Sequence, residues 1–133
     1  MTERAEASFA LESFLGPLDA EHLERFKSVI PQDHLRSKRE RNLAIASQVI
    51  VAFDQLEPVG VVFVRGIAGI PNVTWLVAER ARRRGLAVRM LNRLQQDWPI
   101  LTAICRTDAS LGVARSAGFA VAGPFALWLG VGR

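Results

Sequence analysis

Trp75-Leu76-Val77-Ala78-Glu79-Arg80-Ala81-Arg82-Arg83-Arg84-Gly85-Leu86-Ala87-Val88 is the stretch on which the fold turns. It opens as the end of an apolar strand, crosses a loop rich in arginine, and reaches a glycine. Beyond Gly85 the hydrophobic period lengthens. Val88, Leu91 and Leu94 fall on one helical face with Met90 beside it, and Arg89, Asn92 and Arg93 take the wetter side. A helix is therefore predicted from Gly85 to Trp98, closed by Pro99. The first turn of a helix carries unpaired amide N–H groups, which together with the macrodipole attract anions. Gly85 permits close backbone approach, and Arg82, Arg83 and Arg84 add full charges at the same place. A diphosphate is the natural guest.

Upstream, Val73–Val77 reads as a strand and Gly66–Asn72, with two glycines and a proline, as a loop. Gln48–Phe53 and Val59–Val64 form a hairpin about a turn at Asp54–Pro58. Ser8–Leu15 reads as a first strand ending at Gly16-Pro17. Asp19 then caps a helix bearing Leu23, Phe26, Val29 and Ile30, stopped by Pro31. Gln32–Arg41 is polar apart from Leu35 and is expected as a short surface helix. Downstream, Ile100–Cys105 is a strand. Asp108 is expected to cap a short helix carrying Leu111, Val113 and Ala114, with Gly118 at its C′ position. Phe119–Ala122 and Ala126–Val131 are the closing strands, broken by Gly123-Pro124.

The order is β-α-α-β-β-β-α-β-α-β-β. It implies an α/β domain of three layers, with a mixed sheet of about seven strands and one parallel βαβ unit around the long helix.

The 133 residues suit one domain, 1–133, and half of them are hydrophobic, enough for a substantial core. No apolar run approaches the ~18 residues of a membrane span. The charged Met1-Thr2-Glu3-Arg4-Ala5-Glu6 lacks the apolar region of a signal peptide. Cys105 is the single cysteine. Its apolar neighbours make it a buried small hydrophobe in a reducing compartment, so a cytoplasmic location is expected.

The net charge of +4 is concentrated at Arg80–Arg93 and again at Arg36, Lys38, Arg39 and Arg41. The second cluster reads as a solvated helix face. Nucleic-acid binding would call for aromatics interleaved with the arginines, and Trp75, Trp98 and Trp128 are not placed that way. No metal site is expected.

Arg82-x-x-Gly85-x-Ala87 resembles the R/Q-x-x-G-x-G/A signature of the GNAT superfamily of N-acetyltransferases. It follows a strand and opens an amphipathic helix, as in that family. Asp108–Phe119 is similar to the family's second landmark, a short helix ending in Gly-Phe. The resemblance implies acetyl-CoA as acyl donor and an amine as acceptor, joined by direct attack in a ternary complex. It implies that the strand at Trp75, Leu76 and Val77 splays from its neighbour and pairs with the pantetheine amides, with the amide near Val77 polarising the thioester carbonyl. Amides of Arg83, Arg84, Gly85, Leu86, Ala87 and Val88 would hold the pyrophosphate beside Arg82. Thr107, Ser110 and Arg115 would lie near the cofactor's other side.

The departures concern acid and base. The family's frequent tyrosine is replaced by Ala114, and the chain has no tyrosine. The frequent asparagine is Thr107. Asn72–Val77 carries no carboxylate, which leaves Glu79 as the candidate base nearest the cofactor; pairing with the surrounding arginines is its other reading. Asp54, Glu57 and His34 are further candidates, read as hairpin and surface residues. A GNAT-fold protein that binds coenzyme A or a partner without catalysis stays open, as does a homodimer through the apolar closing strands.

Overall fold

Runs of valine and isoleucine build the centre of the molecule, because a strand buried on both faces needs no polar alternation. The computed structural model describes residues 9–130. Its elements are β1 (Phe9–Leu15), α1 (Ala20–Phe26), α2 (Arg36–Ala44), β2 (Gln48–Asp54), β3 (Glu57–Ile67), β4 (Ile70–Val77), α3 (Leu86–Gln95), β5 (Ile100–Ile104), α4 (Asp108–Ser116), β6 (Ala120–Ala122) and β7 (Phe125–Leu129). One mixed sheet runs in the order β1-β2-β3-β4-β5-β7-β6. The predicted element order and the α/β class with helices on both faces are as found. Met1–Glu6, Ser8 and Val131 lie outside the described residues.

Alternate residues of the central strands feed two cores. Ile50, Ala52, Val62 and Val64 meet Leu86, Met90, Leu91 and Leu94 of α3 on one face. Val49, Val51, Val61 and Phe63 meet Phe26, Val29, Ile30 and Leu43 on the other. Register slips between Ala52 and Phe53, which pair with Gly60 and Pro58 and leave Val59 as an extra residue. At Gly60 an added Cβ would sit 2.9 Å from Met90 Cε, so the glycine lets α3 close onto β3.

Several boundaries differ from the sequence reading, each for a local reason. The expected loop Gly66–Asn72 is a tight hairpin. Ala68 and Gly69 take left-handed φ values of 54° and 80°, and β3 and β4 extend to Ile67 and Ile70. The helix expected at Gln32–Arg41 forms later. The Asp33 carboxylate accepts the Leu35 N–H at 2.9 Å, holding a turn there, and the fully buried Leu43 anchors the helix at its far end. That same N–H, with Arg39 nearby, holds the Asp33 carboxyl below its ordinary pKa.

The long helix stops at Gln95 rather than Trp98, whose indole N–H donates to Gln48 Oε1 at 2.7 Å. Thr107, not Asp108, caps α4, through a reciprocal capping box with Ser110. A short 3-10 turn, Glu79–Ala81, was not foreseen. Asp19 caps α1 as expected, accepting from His22 N. Gly118, at φ 90°, closes α4 with a Schellman motif. Its N–H bonds Arg115 O at 3.0 Å, and Phe119 N bonds Ala114 O at 2.9 Å.

Leu43 is the buried residue that docks α2. Leu43→Ala is expected to destabilise the domain by about 2–5 kcal/mol, measured as a shift of the urea midpoint at unchanged slope.

Candidate active site

Two neighbouring strands part company at the middle of the sheet. β4 and β5 are parallel, and their register consists of one pair, Asn72 and Thr102. Side chains pin that point: Asn72 Nδ2 donates to Thr102 Oγ1 at 3.3 Å, and Thr102 Oγ1 donates to Pro71 O at 2.8 Å. On its other edge β4 stays paired with β3 as far as Val77. Among the described residues its edge toward β5 has no strand partner from Val73 onward. The opening is a cavity of about 350 Å³ with Val73, Thr74, Trp75 and Leu76 on one wall and Ile104, Arg106, Thr107 and Ser110 on the other.

Just past the end of β4 lies the start of α3. Gly85, its N-cap, has φ 70°, and Arg83 is also left-handed at 66°. No side chain caps this helix and its first turn holds no acidic residue, so its leading amides stay available. Among the described residues, a Cβ added at Gly85 would meet nothing within 4 Å. Arg82, Arg83 and Arg84 are all exposed around it. Turns with left-handed residues of this kind gather N–H groups into anion-binding concavities. Arg82 Nε donates to Val77 O at 3.0 Å, tying the loop to the end of β4. The Arg84 guanidinium lies 5.8 Å from the centre of the Phe9 ring.

No protein-family model matches the chain, and no curated protein matches it in sequence. Solved structures do match. A GNAT-family protein from Desulfovibrio desulfuricans superposes with a TM-score of 0.72 at 12% identity, over 92% of this chain and 100% of its own. The ribosomal-protein-S5-alanine acetyltransferase of Vibrio fischeri gives 0.67 at 12% identity, over 94% of each chain. The phosphinothricin acetyltransferase of Sinorhizobium meliloti, solved with acetyl-CoA, gives 0.66 at 12% identity, over 90% of this chain and 86% of its own. The chain has the GNAT acetyltransferase fold.

Within this GNAT fold the residues expected from sequence fall into distinct places. Trp75 is half-buried and Leu76 buried, both on the cleft wall. Val77 has its carbonyl engaged by Arg82. Leu86 is 2% exposed and points into the core, so any contact it makes with a ligand is through its backbone. Ala87 and Val88 are half-buried. Thr107 and Ser110 line the cleft, but their hydroxyls lie 2.8 Å apart and serve the start of α4. Arg115 is exposed on the last turn of α4 and does not line the cleft.

Glu79 is exposed on the 3-10 turn, outside the cleft lining, and among the described residues it forms no ion pair with the arginines around it. Arg80 instead binds Asp54 at 2.8 Å and also Glu57, which makes both acids structural partners of the β2–β3 hairpin. His34 is exposed. Ala114 is fully buried against the core.

The sequence reading missed Lys38, Arg39, Asn42, Arg65 and Arg106, all of which line the cleft. The basic cluster of α2 is not one solvated face. Arg36 pairs with Glu40 at 2.8 Å and Arg39 with Asp33 at 3.1 Å. The spacing 35, 38, 39, 42, one helical stripe, was the available signal.

Cys105 is 2% exposed, and burial pushes its thiol pKa up. The folded domain should therefore resist a thiol reagent at neutral pH and react on denaturation, as followed by mass spectrometry; rapid labelling of the native domain would contradict the buried placement.

Proposed function

We propose that the chain is an acetyl-CoA-dependent N-acyltransferase. The observation that carries the reading is the parting of β4 from β5 directly beside an uncapped, arginine-flanked helix start. A thioester donor with a diphosphate has a place for each part. Amides at the start of α3, with Arg82, Arg83 and Arg84, would hold the diphosphate. The free edge of β4 at Trp75–Val77 would pair with the pantetheine amides, as an added strand would. The acetyl-CoA-bound S. meliloti neighbour supports this choice of donor, and Thr107, Ser110 and Arg115 are proposed to flank its other side.

Chemistry would occur in the cleft. The acceptor nitrogen forms a bond to the thioester carbonyl carbon, the carbon–sulfur bond breaks, and the electron pair leaves with sulfur as thiolate. A backbone amide near Val77 would stabilise the charge on the carbonyl oxygen. Positioning supplies most of the rate. Among the described residues no carboxylate or histidine lines the cleft, so the proton of the amine would pass to water. A thiolate can leave without a proton donor because the pKa of its thiol is modest, so the buried Ala114, where the family often has a tyrosine, does not block the step.

The same lack of acid and base favours a second reading, a donor-binding protein without turnover. Acetyl-CoA binding with no acetylated product from any amine would select it.

Gly85→Glu is expected to abolish acetyl-CoA binding in calorimetry while the domain stays folded: at φ 70° the new residue strains the turn by about 1–2 kcal/mol, its Cβ meets nothing within 4 Å among the described residues, and it brings a carboxylate to the anion site. Unchanged affinity would remove the proposed diphosphate site. A direct general base contributes about 10²–10⁴-fold. With Glu79 outside the cleft, Glu79→Gln is expected to keep kcat within about tenfold of wild type, and a larger loss would restore Glu79 as the base.

A further inference from the structure

The cleft has a second charged region, on the opposite face of the sheet from the arginine loop. α3 packs on one face of the sheet and α2 on the other. Arg65 projects from β3 opposite Asn72, on the face α2 covers. With Lys38 and Arg39 of α2, and Arg106 after β5, it lines the cavity. These four cations face no aspartate, glutamate or histidine among the lining residues. Arg39 is balanced by Asp33 at 3.1 Å. Lys38, Arg65 and Arg106 have no acidic partner among the described residues. Nearby Glu40 is already committed to Arg36.

We propose that the acceptor is a small amine carrying an anionic group, a carboxylate or a phosphate, a few bonds from its nitrogen, and that Arg65, Lys38 and Arg106 hold that group. This rests on the transferase reading above. The donor's diphosphate is provided for at the start of α3, so it does not account for charges on the α2 face. A bare ammonium ion would be repelled here, and an acceptor that brings negative charge is drawn in. Arginine suits either anion, because its planar fork matches both. The cations also disfavour the ammonium form of a bound amine, which helps a cleft without a side-chain base to present the neutral nucleophile.

The test separates acceptor from donor. The chain loaded with coenzyme A is titrated calorimetrically with N-acetylglycine, with N-acetylglycinamide, with N-acetylphosphoethanolamine and with N-acetylethylenediamine. A charge-assisted hydrogen bond makes about a tenfold difference. One or both anionic probes should therefore bind at least that much tighter than the amide, and the stronger of the two names the group. The cationic probe should bind worst. Arg65→Glu should remove the preference for the anions and favour the cation. Lys38→Glu, on an exposed position, should do the same in part if the Arg65 variant does not fold.

Equal binding of amide and anions, or preference for the cation by the unaltered chain, overturns the proposal. Failure of coenzyme A to bind overturns the donor site instead. The probes are then titrated against the chain alone, where a preference for the anions upholds the cleft as an anion site and its absence rejects it.

Discussion

Asn72 and Thr102 are the single register pair between the two halves of the sheet, and the rest of the structure depends on that contact. Above it, β1 to β4 form an antiparallel block; beyond it, β5 to β7 form another. The pair is fixed by side chains as well as backbone, through Asn72, Thr102 and the Pro71 carbonyl. The core beneath holds the two arms at their opening, because Val73, Leu101, Ala103 and Trp128 pack in one cluster with α3 and α4. The cleft is therefore a shape set by packing.

The two helices that flank the cleft start in opposite ways. α4 satisfies its own N-terminal amides, with Thr107 and Ser110 exchanging hydrogen bonds in a closed box. α3 has a glycine in the same position, no acid in its first turn, and arginines just before the cap. A helix start with glycine at the cap gives up roughly a few tenths of a kcal/mol that a serine or aspartate would supply. That loss is understandable where the amides are reserved for another partner. The two helix starts thus differ by local sequence alone, one closed on itself and one left open.

Much of this was legible in the sequence, and the boundary of legibility is physical. The strand, arginine loop and amphipathic helix around Gly85 are local patterns and follow one another in the order read, although the strand begins earlier, at Ile70, and the helix ends earlier, at Gln95; the Asp19 cap and the Gly118 terminator stand as read. The seven strands follow from apolar runs. Less visible were features decided by competition between local options. Thr107 and Asp108 are both capping residues, and the Ser110 hydroxyl settles the choice. Ala68 adopts a left-handed φ that alanine rarely takes, so the hairpin turn was hidden in an apparent loop. The cationic wall of the cleft was invisible for a different reason. Arg65 and Lys38 are 27 positions apart and meet only because β3 and α2 fold onto the same wall. Charge clustering along the chain does not reveal clustering across it.

The pinned sheet also has a mechanical meaning. It is two plates joined at one register pair and braced by the helices packed on them. A molecule lying along the free edge of β4 would take the place of an absent strand and splice the plates together. The stiffness of this domain would then be a property of what it carries as much as of its own chain.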